Sequence, residues 1–167
     1  DVVSKTYILK EPNKLNKLYN RAIKDGDQDL QKFYSKLALL ELCGWIEESM
    51  DNVVQGIKRR LKDEKNKEYV DSIIKQNYGF GYEGNFRNML IKAVGIHKVE
   101  QIERKIDGSK KDLFKSSLGT LREMRHDHAH SYIHSATVRL HAPSAIRNHF
   151  NPVYDGLKSF EKELRGI

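Results

Sequence analysis

The stretch DLQKFYSKLALLELCGWIEESMDNVVQGIK, residues 29–58, decides the fold class. Within it Leu39, Leu42, Ile46, Met50, Val53 and Ile57 recur at three- and four-residue steps, and Leu61 continues the series. That period is an α-helix presenting one apolar stripe. A second stripe, Leu30, Phe33, Leu37, Leu40 and Gly44, runs beside the first. A helix that is apolar on two sides asks for neighbours on both, so the spacing predicts a long central helix beginning at Asp27. Glu47 takes the next step of the second stripe, which predicts a half-buried carboxylate aimed at a groove or an interface. Lys58, Arg59, Arg60 and Lys62 form the basic end of this helix, the sign that a helix C-terminus favours.

Outward from this segment the chain keeps helical spacing. Before it, Pro12 suits a first helical turn, and Leu15, Leu18 and Ile23 predict a short helix ending near Gly26. After it, Gly79-Phe80-Gly81-Tyr82-Glu83-Gly84 is the clearest break. Phe86, Leu90 and Val94 then mark one helix, and Ile96, Val99, Ile102 and Ile106 another. Phe114, Leu118, Leu121 and Met124 mark a third. In the C-terminal region Ile146, Phe150, Val153, Leu157, Phe160 and Leu164 keep the period, with a kink predicted at Pro152. No alternating strand pattern and no internal repeat is visible. The expectation is one all-α domain over residues 1–167, a helical bundle around the long helix.

Composition limits the function classes. The 167 residues are 38% hydrophobic and 32% charged, in the range of a globular domain able to bury its own core. No apolar run reaches membrane-spanning length and no signal-peptide pattern is present, and the single cysteine makes a reducing cytoplasm the expected compartment. The lone Cys43 excludes an internal disulfide framework and a cysteine-based zinc site, and its apolar helical setting predicts an inert buried thiol. The formal charge of +7 is uneven. Residues 1–83 carry 15 basic and 14 acidic side chains, whereas residues 84–167 carry 15 and 9. The positive half favours a polyanionic partner such as RNA, DNA or an anionic surface.

That half also holds Met124-Arg125-His126-Asp127-His128-Ala129-His130-Ser131-Tyr132, which places three of the seven histidines inside five residues. At about 100° per residue, His126, His130 and His134 share a helical face. Arg125 and His130 stand about 140° apart on an ideal helix, so an unbroken helix would not aim both at one phosphate. Two arrangements resolve this. Asp127 caps a new helix and leaves Arg125 and His126 in the turn before it, or the segment meets its copy across a two-fold axis.

Arg125, four intervening residues and His130 match the R-x4-H signature of the HEPN superfamily of small α-helical ribonucleases, and Tyr132 extends the match to R-x4-H-x-Y. His126 supplies the polar residue that usually follows the arginine. The long helix with Trp45-Ile46-Glu47 ahead of an apolar stripe resembles the early helix of the longer HEPN groups found in defence and toxin systems. The resemblance implies a HEPN-like bundle and a metal-independent endoribonuclease without cofactor. It also implies an active groove at a homodimer interface and a neighbouring antitoxin or nucleotidyltransferase partner. In this reading the RNA 2′-hydroxyl attacks the adjacent phosphate. His130 does the acid–base work, Arg125 holds the phosphate and its developing charge, and His126, Asp127 and Glu47 support them. Tyr132 takes the position of a tyrosine that partner nucleotidyltransferases modify in some HEPN toxins.

Two other classes compete. His126 and His130, at i and i+4, could supply two ligands of a zinc or nickel site, although no HExxH pattern or nearby cysteine completes it. Alternatively the domain is a catalytically inactive HEPN-like module that binds RNA or a partner. On a solvated turn, His126 and His128 would be ordinary surface residues.

Overall fold

The computed structural model describes residues 2–6, 8–129 and 141–166. His130, Tyr132 and His134 therefore lie outside the described residues. The described chain is all α-helical. Its elements are α1 (Lys10–Lys24), α2 (Gln28–Lys58), α3 (Glu64–Lys75), a π-helical segment (Tyr82–Arg87), α4 (Asn88–Val94), α5 (Ile96–Lys105), α6 (Gly108–Ala129), α7 (Pro143–Arg147) and α8 (Phe150–Arg165).

Helix α2 starts where its sequence predicts, because the Asp27 side chain accepts a hydrogen bond from the Leu30 amide at 2.9 Å. It is 31 residues long and packs against α1, α3, α4, α6, α7 and α8, so it is central as well as long. Leu39, Leu42, Ile46, Met50, Val53 and Ile57 are all buried. Leu61 is not part of the helix, which ends at Lys58. There the Lys58 ammonium pairs with Asp71 of α3 at 2.6 Å and ties the two helices together, while Arg59, Arg60 and Lys62 fall beyond the end.

The second stripe behaves differently from its prediction. Leu30, Phe33, Leu37 and Leu40 are exposed, Phe33 by 51%, so α2 has one covered apolar side and one bare one. Pro152 makes no kink either. The chain turns between α7 and α8, and Pro152 occupies the first turn of α8, where its missing amide has no helical partner to lose.

The opposite end of the core fixes the position of the loop ahead of α4. Tyr82, Phe86, Phe114 and Phe160 form a cluster of edge-to-face and tilted rings with centroids 5.1–6.5 Å apart. The Tyr82 hydroxyl donates to Glu103 at 2.6 Å, and Arg87 donates to the same carboxylate at 2.8 Å. Within the π-helical segment the Phe86 amide reaches back five residues to the Gly81 carbonyl. Residues 77–81 are thereby held between α2 and α6.

Candidate functional site

Helix α6 runs without interruption through Arg125, His126, Asp127 and His128. Asp127 is thus inside a helix and does not cap a new one, and Arg125 does not sit in a turn. His128 is buried rather than solvated, because it falls on the core-facing side of α6. Burial, with Lys36 and His141 adding positive charge, pulls its pKa below the ordinary histidine value. His126 and Asp127 are exposed.

Arg125 projects from α6 over the Phe80 ring, with its guanidinium carbon 5.7 Å from the ring centroid. One guanidinium nitrogen donates to Glu47 of α2. Glu47 is half-buried as its place in the stripe predicts, and 40% of the Arg125 side chain stays open to solvent. The two residues line a cleft of about 360 Å³ together with Asp51, Asn77, Tyr78 and Gly79.

Asp51, one helical turn beyond Glu47, is the residue that motif reading misses. Its Oδ1 is buried with no hydrogen-bond partner among the described residues. Burial, with the Glu47 and Glu48 carboxylates adding to it, pushes its pKa up from 3.8 to about 6. The signal available in the sequence was the i, i+4 spacing of two carboxylates on one face. Perturbed carboxyls in clefts are candidate functional groups.

The loop opposite is built by two asparagines. The Asn85 amide donates to Asn77 Oδ1 at 2.8 Å and to the Tyr78 carbonyl at 3.1 Å, and its oxygen accepts from the Gly81 amide at 3.0 Å. Asn77 in turn donates to the Gly79 carbonyl at 3.0 Å. Gly79 has φ of +116°, a conformation that a side chain would strain. Gly81 admits the Arg122 guanidinium, whose Nη1 lies 3.1 Å from where a β-carbon would be. Arg122 precedes Arg125 by one turn of α6, so two cations of that helix face this loop. Two turns earlier on α6, Lys115 pairs with Glu83 at 3.1 Å.

Cys43 lies behind the cleft. Burial, opposed in part by Arg125, pushes its thiol up to about 12. It is buried, as its apolar setting predicts.

Among the described residues no group of three or more His, Cys, Asp or Glu is placed to hold a metal ion, and the His126–His130 pair falls partly outside them. Among the same residues no helix is long and apolar enough to cross a membrane. No family model, curated protein or solved structure matches the chain.

Proposed function

We propose that the protein is a metal-independent endoribonuclease of the HEPN type, of the kind used in toxin–antitoxin or antiviral defence, acting as a homodimer. One observation carries this reading. Arg125 of the R-x4-H motif is clamped by Glu47, backed by Phe80 and left open to a cleft of nucleotide scale. A guanidinium fixed in this way keeps donors for a phosphate while losing little freedom on binding.

The chemistry divides among the residues in the cleft and the motif. Arg125 binds the scissile phosphate and stabilises charge on its oxygens, with Arg122 adding positive potential one turn away. His130 takes the proton from the 2′-hydroxyl or returns one to the leaving 5′-oxygen. Asp51 supplies a second titrating group, neutral below about pH 6, and protonation removes a negative charge that would oppose the phosphate.

The homodimer rests on α2. Leu30, Phe33, Leu37, Leu40, Gly44, Glu47 and Asp51 fall within an arc of about 100° on an ideal helix. The bare apolar stripe therefore leads directly into the cleft. A two-fold contact on this stripe hides Leu30, Phe33, Leu37 and Leu40 and brings two clefts side by side. It also answers the five-residue spacing of Arg125 and His130, because each copy then contributes to its partner's half.

The test is cleavage of end-labelled RNA with and without EDTA, beside Arg125→Ala and His130→Ala. The expected result is cleavage that survives chelation, leaves cyclic-phosphate and 5′-hydroxyl ends, and disappears in either variant. Activity abolished by EDTA, or RNA left intact by the wild type, overturns the reading. Sedimentation of Phe33→Glu tests the dimer separately: a monomeric wild type at working concentration refutes it.

A further inference from the structure

We propose that Tyr78 is a stacking platform for an unpaired nucleobase of the RNA whose phosphate Arg125 holds. The proposal rests on the ribonuclease reading for its ligand and on independent geometry for its residue. Tyr78 is 88% exposed, the largest exposure among the large hydrophobic side chains of the described chain. It lines the same cleft as Arg125, Glu47 and Asp51.

An exposed aromatic on a loose loop would mean little. Here the backbone on both sides of the ring is fixed. Asn85 grips the Tyr78 carbonyl and the Asn77 side chain, Asn77 grips the Gly79 carbonyl, and Asn85 also receives the Gly81 amide. Beyond the loop, Phe80 and Tyr82 are buried and anchor it to the core. The fold thus holds in place a short loop whose central ring packs on almost nothing in the protein.

Such a ring suits a flat π-face. Tyrosine presents a large contact area with only two side-chain torsions to freeze, and a fixed backbone lowers the ordering cost further. Base stacking on an aromatic side chain is sequence-tolerant, and removing the ring weakens binding by roughly 5- to 150-fold. Paired bases keep their faces covered, so the ligand is a single-stranded segment or loop rather than a duplex. Arg125 then engages the backbone beside the stacked base, and the hydrogen-bonding edge of that base is left free. This arrangement selects for strand state and not for sequence.

The experiment measures binding of a short mixed-sequence single strand of 2′-O-methyl RNA, which has no attacking hydroxyl, and of the same sequence annealed to its complement. Fluorescence anisotropy gives the Kd for the wild type, Tyr78→Ala, Tyr78→Phe and Tyr78→Trp. Tyr78→Ala is expected to weaken the single strand about tenfold or more, with Tyr78→Phe and Tyr78→Trp close to wild type and the duplex weak throughout. Unchanged single-strand affinity in Tyr78→Ala, equal preference for duplex, or no oligonucleotide binding by the wild type overturns the platform. Cleavage of unmodified RNA by all four proteins separates the two claims. Aromatic-dependent binding without cleavage keeps the platform and refutes the nuclease. Cleavage at wild-type KM in Tyr78→Ala keeps the nuclease and refutes the platform.

Discussion

Replacing Asp51 by asparagine removes a carboxylate that the fold holds against its preference for water. Its pKa of about 6 stands about two units above the ordinary value of 3.8, through burial first and then through Glu47 and Glu48. Two units correspond to about 3 kcal/mol against the ionised form. Because the carboxyl keeps partial access to solvent, screening removes roughly half, leaving ~1.5 kcal/mol. Between about pH 3.8 and pH 6 the folded protein binds this proton more tightly than the unfolded chain does. Stability is therefore lost as pH rises through that window, and Asp51→Asn escapes the loss. Near pH 8 the variant is expected to melt about 3–6 °C above wild type. Near pH 4.5 the carboxyl is mostly protonated in the folded state, and the advantage shrinks to roughly a third. Thermal unfolding followed by far-UV circular dichroism at both pH values reads this out. A variant less stable than wild type near pH 8, or a gain of equal size at both, would refute the desolvated-carboxylate account of the cleft.

Other expected outcomes concern the frame around the site. Gly156→Ala would drive a β-carbon into the Phe114 ring where α8 crosses α6, and urea denaturation should show a loss of ~2–3 kcal/mol. Burial alone pushes the Glu161 carboxyl up, but Lys158, the Val2 amide and Arg165 outweigh it and hold it at about 2. That contribution is complete above about pH 4.5 and fades towards pH 2. Glu161→Gln should then cost ~2–3 kcal/mol at neutral pH, less as the pH falls through that window. His128 and His149 are held below the ordinary histidine range by burial, with His141 adding to both. Stability from keeping them neutral is present above the unfolded value and is lost as pH falls through it. A melting-temperature profile below neutral pH should slope downward in the wild type and flatten in a His128→Asn, His149→Asn double variant.

The helical class and the central place of α2 were legible because both rest on periodicity, which a backbone of fixed pitch converts directly into a face. Asp27 gave the start of that helix for the same local reason: a cap bond spans only three residues. Leu61 misled because its spacing fits a helix that the chain leaves at Lys58, where the Lys58–Asp71 pair and the α3 cap at Asp63 take over. The bare stripe of Leu30, Phe33, Leu37 and Leu40 could not be told from a covered one, since periodicity reports a face and not what lies on it. Arg125 and Glu47, to which the motif and the stripe point, do come together, as an ion pair lining one cleft. The Asp127 cap failed because α6 has packing on both sides of that point, including the buried His128. Asp51, Asn77 and Tyr78 come to line one cleft only through the return of the 77–81 loop to α2. That contact belongs to the tertiary fold.

The burial of Cys43 has a practical consequence. It is the protein's one thiol, is 1% exposed, and is held in its protonated form well above neutral pH. Thiol-directed reagents that act through the thiolate will pass it by in the folded protein. The native chain is therefore ready for site-specific labelling. A Tyr78→Cys or Phe33→Cys substitution would introduce a single addressable position, at the cleft or on the α2 stripe, without first stripping a cysteine from the core.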